Sequence, residues 1–227
     1  MTSAAAETGG LRIDSDAIRW SLPPPERAGR PLLVLLHGHG MDETMGSGVT
    51  HRLPPELVVA SLRAPLRSGG GHSWFPLDAS LTVAQVDASA AAVWAWLAEQ
   101  DHPVRGVLGV SQGAATAFQL LRRHPDALDF VINLAGFVAP VPDAGDRSVR
   151  RRRPPVFWGR GDRDNRIPAP VVAFTSRWLR EHATLTERVY PGLGHDVAPA
   201  EIDDVVTFLT QRLLDCRDVV SPSDRSR

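Results

Sequence analysis

A serine between two glycines is the residue of this chain best placed for chemistry. Residues 109–113 read G-V-S-Q-G, at the end of an apolar run (104–110) and before a run of helix formers (114–121). A G-x-S-x-G turn between a strand and a helix lifts the serine hydroxyl clear of the sheet and faces the next amide toward whatever the serine attacks. The pattern predicts Ser111 as a nucleophile, with the amide of Gln112 beside it.

A serine nucleophile needs a histidine to accept its proton and an acid to hold that histidine in the right tautomer. Two polar loops follow later apolar runs and could supply both groups: R-G-D-R-D-N-R-I-P at 160–168 and P-G-L-G-H-D at 191–196. The order serine, acid, histidine is the one that this type of turn uses. His195 is therefore the candidate base, and Asp162 and Asp164 compete for the acid role.

A turn rich in histidine and glycine supplies the third part of the pattern. Residues 35–40 read L-L-H-G-H-G, directly after the first apolar run of the chain. Two glycines allow the backbone to turn so that an amide points at the oxyanion that develops when a serine attacks a carbonyl. His37 is expected to be a structural histidine that hydrogen-bonds backbone groups.

The elements that must position these residues alternate between strands and helices. Continuous apolar runs, typical of strands buried on both faces, occupy 31–36, 57–62, 104–110, 130–134 and 155–158, and residues 185–190 alternate as an edge strand would. Helical patterns occupy 81–99, 113–123, 169–181 and 201–215, and residues 11–20 are expected to add an antiparallel edge strand. The alternation predicts an α/β protein whose mostly parallel sheet is covered by helices on both faces.

Length and composition indicate one globular domain. With 227 residues, the chain is expected to fold as a single domain over 11–215, with disordered ends at 1–10 and 216–227. The net charge of −1 gives no electrostatic reason to expect a nucleic-acid partner. All 25 basic residues are arginine, which excludes a lysine Schiff base or a phosphate-loop lysine.

The same composition predicts that no metal or organic cofactor is needed. Cys216 is the single cysteine, so neither an intrachain disulfide nor a cysteine-rich metal site can form, and the remaining histidines lack partners at metal-ligand spacing. The N-terminal residues have no apolar segment of a secretory signal, and no run approaches the roughly 20 apolar residues of a membrane span. A cytoplasmic protein without integral membrane association is expected.

Together these motifs resemble the α/β-hydrolase fold, and specifically the phospholipase/carboxylesterase family that includes acyl-protein thioesterases. The similarity extends from about Pro31 to Leu214. Residues 37–40 match the H-G-x-G turn of the family, 109–113 its G-[FV]-S-Q-G turn, 164–168 its D-x-x-[VI]-P, and 190–195 its Y-x-G-x-G-H. Residues 63–75 are similar to its R-A-P…G…W-F loop.

The resemblance implies a role for each matched residue. Ser111 would be the nucleophile, His195 the base, and Asp164, favoured over Asp162 by the register of the D-x-x-[VI]-P motif, the orienting acid. The amides of His39 and Gln112 would form the oxyanion hole. Two residues depart from the family pattern, since Arg160 replaces a common histidine and His39 a common leucine. The second replacement is expected to alter the mouth of the pocket.

The loop that carries Trp74 and Phe75 is rich in glycine, and aromatic residues on such a loop often line a pocket. We expect these two residues and Met41 to contact the substrate. A large lid is not expected, because the 137–153 stretch is too short to form one; the site should be open.

Two surface features permit more than one interpretation. The run Arg150, Arg151, Arg152 and Arg153 has no interleaved aromatic residues and is interpreted as a solvated loop rather than a nucleic-acid patch. Trp94 and Trp96 cannot share one helix face, so one should be in the core and the other partly exposed or in a homodimer contact.

The sequence as a whole predicts a serine hydrolase that cleaves carboxylic esters or thioesters through an acyl-enzyme. The alternative from another class is a non-catalytic binding protein on the same fold, because a fold alone does not determine function. Nearer alternatives are a peptidase and a dienelactone-type hydrolase, and the latter usually has cysteine where this chain has Ser111.

Overall fold

A computed structural model of the protein describes residues 10–77 and 82–220, with side chains described up to residue 215. In this part of the chain nine strands and five α-helices follow one another. The strands are β1 (Arg19–Trp20), β2 (Leu32–Leu36), β3 (Val58–Leu62), β4 (Leu66–Ser68), β5 (Gly71–Ser73), β6 (Arg105–Val110), β7 (Phe130–Leu134), β8 (Pro155–Gly161) and β9 (Thr184–Tyr190). The helices are α1 (Val83–Leu97), α2 (Gln112–Arg123), α3 (Asp146–Arg152), α4 (Ala169–His182) and α5 (Pro199–Val220).

Seven of the described strands form one sheet in the order β1-β3-β2-β6-β7-β8-β9. Every neighbouring pair is parallel except β1 with β3, so the antiparallel edge strand expected within residues 11–20 is β1. β9 lies at the opposite edge, as its alternating pattern predicts. β2, β6, β8 and β9 run parallel to one another. The four predicted motifs follow the carboxyl ends of these strands and therefore lie at the same end of the sheet.

The continuous apolar runs arise because both faces of the central strands are covered. On β2, Leu32, Val34 and Leu36 face a core that contains side chains of α1, α2 and α4. Leu33 and Leu35 face a second core with side chains of α5. The mostly parallel sheet with helices on both faces is thus confirmed, and within the described residues no helix is both long and apolar enough to span a membrane.

A hairpin and the last helix differ from the sequence-based expectations. β4 and β5, which the sequence did not predict, form an antiparallel hairpin. α5 continues to Val220, five residues beyond the expected end, so disorder from residue 216 onward was wrong for this stretch. The expectations for 1–9 and 221–227 lie outside the described residues.

The expectation of a solvated loop at the arginine run was also wrong, because residues 146–152 form the helix α3. Arg153 follows this helix and donates hydrogen bonds to the carbonyls of Glu181, at 2.9 Å, and Ala183, at 2.6 Å. The last carbonyls of a helix lack partners within it, and cations near them are favourable. Arg153 therefore caps the end of α4, a structural use of a charge that the sequence alone assigned to solvent.

The two tryptophans of α1 divide as expected. Trp96 is buried in the core, 5.9 Å from Trp20 between ring centroids. Trp94 is half-buried and stacks on His124 at 4.1 Å. This stacking gives Trp94 a partner within its own chain, and a homodimer contact at this residue stays a prediction.

Candidate active site

Ser111 occupies the turn between β6 and α2 in a strained backbone conformation, with φ 52° and ψ −111°. A residue other than glycine rarely adopts positive φ, and such strain persists only where the surroundings enforce it. Here the Ser111 N–H donates to the carbonyl of Leu134 at 2.9 Å. Gly113 is required beside it, because a Cβ at this position would overlap the carbonyl of Leu36 in β2.

His195 joins the serine to an acid. Its Nε2 lies 3.0 Å from Ser111 Oγ, and its Nδ1 lies 2.7 Å from Asp164 Oδ2. Because a carboxylate only accepts hydrogen bonds, Nδ1 carries the proton and Nε2 is free to accept one from the serine hydroxyl. The three side chains thus form a continuous Ser–His–Asp hydrogen-bond chain across three loops at the carboxyl end of the sheet.

Asp164 is held in place by its own turn. Its second oxygen, Oδ1, accepts the backbone N–H groups of Arg166, at 2.9 Å, and Ile167, at 3.3 Å. The side chain is only 7% exposed, so its contact with His195 is largely shielded from water. This is an Asx turn, in which the carboxylate shapes the loop that carries it.

Asp162 is placed differently, although the sequence made it a competitor for the acid role. Its Oδ1 accepts the backbone N–H of Gly192 at 2.7 Å, three residues before His195. The structure therefore brings Asp164 to the imidazole and uses Asp162 to tie the histidine loop to the acid loop.

The turn at residues 37–40 lies directly against the serine. A Cβ at Gly38 would lie 3.7 Å from the Cβ of Ser111. His39 follows in this turn, and Gln112 is the first residue of α2, so its N–H has no acceptor within the helix. The His39 side chain turns to the hairpin, with Nε2 3.2 Å from Ser68 Oγ.

His37 is fully buried and holds the base of the same turn. Its Nδ1 lies 2.7 Å from the carbonyl of Gly38, and its Nε2 accepts the N–H of Ala64 at 3.0 Å. Burial lowers the pKa of His37, because desolvation disfavours the imidazolium form. A neutral ring with one donor and one acceptor suits both backbone partners, which agrees with the structural role expected for His37.

The β4–β5 hairpin fixes the outer side of this turn. Gly40 N–H donates to the carbonyl of His72, and His72 N–H donates to the carbonyl of Met41, both at 2.8 Å. Gly71 packs so closely on Gly40 that a Cβ there would overlap the Gly40 carbonyl. The hairpin, which sequence reasoning missed, is a positioning element of the site; the glycines at 69–71 were the signal for it.

Trp74 and Phe75 correct an expectation, because both are fully buried and neither lines the pocket. Trp74 N–H donates to Gln112 Oε1 at 2.9 Å, and Gln112 Nε2 donates to the carbonyl of Phe75. The Trp74 indole also donates to the carbonyl of His37 at 2.8 Å. These aromatic residues clamp the two turns beside Ser111 from behind instead of contacting the substrate.

Ser111 and His195 line a cavity of about 620 Å³. Met41 lies on its wall and is 44% exposed, and its contact with a substrate stays a prediction. Most of the wall is apolar, including Met45, Val49, Leu77, Leu108, Val110, Leu134, Phe137, Pro140, Ile167, Pro168, Val171, Val197 and Ile202. This size and lining are typical of a site for a small organic ligand.

The ionisable groups on this wall are few: His39, Arg166, His195 and Asp196. Sequence reasoning missed Arg166 as a wall residue, although it stands inside the D-N-R-I-P motif. Among the described residues no group of three or more histidine, cysteine, aspartate or glutamate side chains could hold a metal ion.

Glu201 is an unusual buried acid near the site, in the first turn of α5. It is fully buried, its Oε2 accepts the N–H of Ala198 at 3.3 Å, and its Oε1 has no partner among the described residues. Burial, together with the nearby charges of Asp196 and Asp204, raises the pKa of Glu201 to about 7.

The sheet order, the strained serine turn and the Ser–His–Asp chain define an α/β-hydrolase. A solved structure of similar fold is that of esterase PE8, with a TM-score of 0.73, 24% identity, and coverage of 88% of this chain and 99% of that one. At that level of identity the likeness concerns the fold.

The sequence comparison is more specific. The model of the phospholipase/carboxylesterase family matches residues 21–213, and the chain belongs to this family. It is 26% identical over 152 residues to acyl-protein thioesterase 1 of Kluyveromyces lactis, covering 63% of this chain and 67% of that protein. It is 26% identical over 109 residues to acyl-protein thioesterase 1 of Saccharomyces cerevisiae, covering 46% of this chain and 48% of that protein. The chain thus spans half to two thirds of the length of these relatives.

Proposed function

We propose that this protein is a serine hydrolase that cleaves carboxylic ester or thioester bonds through an acyl-enzyme, with Ser111 as nucleophile, His195 as base and Asp164 as orienting acid. The observation that carries the proposal is the hydrogen-bond chain from Ser111 Oγ through His195 to Asp164, in which Ser111 and His195 line a mostly apolar cavity. Membership of the phospholipase/carboxylesterase family supports the reaction class.

In the first half of the reaction, Ser111 Oγ attacks the acyl carbon and its proton passes to His195 Nε2. The carbonyl oxygen becomes an oxyanion that accepts the backbone N–H groups of His39 and Gln112. When this tetrahedral species collapses, the bond to the alcohol or thiol breaks, and His195 returns the proton to the leaving group. Asp164 stabilises the imidazolium that exists between these two proton transfers.

In the second half, water replaces the leaving group. His195 Nε2 takes a proton from the water as its oxygen adds to the acyl carbon of the acyl-serine. Collapse of the second tetrahedral species breaks the bond to Ser111 Oγ, which recovers its proton from His195, and the carboxylic acid is released. Every step is supplied by the three side chains and two backbone amides, so the proposal includes no metal or organic cofactor.

Covalent labelling tests this assignment. A fluorophosphonate should add once to the protein, as seen by intact mass, and peptide mapping should place the adduct on Ser111. Ser111→Ala should remove both the adduct and the hydrolysis of p-nitrophenyl esters of graded chain length. Ser176→Ala, at a half-buried position of α4 that is not on the cavity wall, is the matched control and should keep both. A protein that binds such esters but takes no label would be a binding protein on this fold.

A further inference from the structure

Arg166 is the cation on the wall of the cavity that holds Ser111 and His195. Arg166 is exposed. Its backbone is held in place because its N–H donates to Asp164 Oδ1 at 2.9 Å. The guanidinium group is therefore attached to the turn that orients His195. Arg166 therefore lies on the wall of the same cavity as Ser111 and His195, the residues proposed to cleave the substrate.

The guanidinium group of Arg166 forms no ion pair with the part of the chain that the structure describes. No carboxylate of the described residues lies within ion-pairing distance of its guanidinium group, whereas Arg160, on the same loop, lies 3.6 Å from Glu187. Asp196 shares the cavity wall, but its Oδ1 accepts the N–H of Val197 at 2.7 Å, and it forms no ion pair with Arg166. Most of the other wall residues are apolar, so a charged group of a substrate has few other polar partners on this wall.

We propose that Arg166 binds a carboxylate on the substrate, so that the preferred substrates are esters or thioesters with a carboxylate a few bonds from the scissile carbonyl. This inference rests on the proposed hydrolase function and adds a substrate class to it. A guanidinium group matches a carboxylate in geometry, with two parallel hydrogen bonds. A single cation with Asp196 nearby matches one negative charge better than the nearly double charge of a phosphate monoester.

The carboxylate can lie on the acyl part or on the alcohol part of the ester, and two substrate pairs distinguish these positions. Phenyl adipate monoester and its carboxamide analogue, phenyl 6-amino-6-oxohexanoate, differ in charge on the acyl side. The 4-carboxyphenyl and 4-carbamoylphenyl esters of butanoic acid differ on the alcohol side. The readout is the ratio of kcat/KM for the anionic ester to kcat/KM for its neutral amide partner.

Arg166→Gln should lower this ratio by about two- to fivefold for one of the two pairs, mainly through KM, since an exposed ion pair contributes modestly. Added salt should lower the ratio of the unchanged protein in the same direction. Asp196→Asn should raise it, because a competing negative charge is removed from the wall. Arg163→Gln is the matched control: it lies on the same loop, is exposed and is not on the cavity wall, and its ratio should equal that of the unchanged protein.

An unchanged ratio in Arg166→Gln for both pairs would overturn the carboxylate site, and so would an equal fall in Arg163→Gln. Either result leaves the hydrolase proposal intact if the neutral esters are still cleaved and Ser111 is still labelled. If neither the neutral nor the anionic esters are cleaved and no label adds, the proposed function itself fails.

Discussion

Asp162 accepts a hydrogen bond from the backbone N–H of Gly192 at 2.7 Å, so the acid that does not contact His195 holds the loop that carries it. The two aspartates of the R-G-D-R-D loop thus have separate tasks. Asp164 contacts the imidazole, and Asp162 fixes the distance between two loops.

This division predicts different costs for the two amide substitutions. Asp164→Asn should lower kcat by roughly 10⁴-fold, as when other triad acids become amides, because the imidazole is then held in the wrong tautomer. Asp162→Asn keeps an oxygen that can accept the Gly192 N–H and should lower kcat far less. Ester hydrolysis at saturating substrate measures both, and the reverse ranking would show that Asp162 orients His195.

The close approach of the hairpin to the 37–40 turn predicts a steric effect of one methyl group. Gly71→Ala should lower kcat/KM about tenfold or more, because the new Cβ must push the Gly40 carbonyl and with it the amide of His39 away from the oxyanion; loss of one such donor costs 10²–10³-fold elsewhere. The matched control is Gly70→Ala, where a Cβ would meet nothing within 4 Å. Equal activities of the two variants would mean that the hairpin does not position the turn.

The clamp made by Gln112 predicts a combined loss of stability and turnover. Gln112→Ala leaves the Trp74 N–H and the Phe75 carbonyl unpaired in the core, at about 1–3 kcal/mol each, and frees the turns beside Ser111. The free energy of unfolding, measured with urea, and kcat should both fall.

Gln119→Ala separates these two effects. Gln119 lies on the same helix, is also buried, and donates to Asp87 at 2.6 Å and Asp143 at 2.9 Å, away from the cavity. This variant should lose stability while its folded molecules keep their kcat. If Gln112→Ala kept full turnover too, the aromatic clamp would have only a structural role.

Glu201 predicts a pH dependence of stability. Because burial raises the pKa of Glu201 from 4.5 to about 7, the folded state binds the proton more tightly than the unfolded state does. The contribution of Glu201 to the free energy of unfolding is therefore fully present below about pH 4.5 and is lost as the pH rises through about 7. The loss amounts to about 3 kcal/mol from the size of the shift.

Glu201→Gln removes this titration and should therefore unfold at a higher temperature than the unchanged protein at pH 8. The difference in unfolding temperature should shrink or reverse at pH 5, where Glu201 is protonated and uncharged, so that an amide at this position offers no advantage. Thermal unfolding monitored by circular dichroism at the two pH values decides the matter. A constant difference between the proteins across this range would show that Glu201 does not titrate there.

The sequence predicted the parallel sheet well because each central strand is buried on both faces, and this leaves an unbroken apolar run such as 130–134. It predicted Ser111 and Asp164 as site residues because each follows such a run, and His195 because it follows the alternating edge strand. It could not predict the role of Trp74 and Phe75, since an aromatic pair on a glycine-rich loop looks the same whether it faces the substrate or the core. Their burial depends on contacts with Gln112 and His37, which are distant in sequence.

The contacts of Arg153 and Arg166 could not be predicted from the sequence either. Nothing in the run at 150–153 distinguishes Arg153, which caps α4 from a left-handed conformation at φ 49°, from Arg150, which lies within α3. Likewise, the D-N-R-I-P motif does not indicate whether the Arg166 side chain faces the cavity. These outcomes depend on where a distant helix end or loop lies in space, and local residue patterns carry no record of it.

The strained backbone of Ser111 has a consequence for how variants of this protein would be selected. Glycine at this position would relieve the positive φ and stabilise the fold, yet it would remove the hydroxyl that the proposed chemistry needs. A library screened only for heat resistance would thus enrich inactive proteins at this residue, and a screen must require ester turnover at the same time to retain the serine.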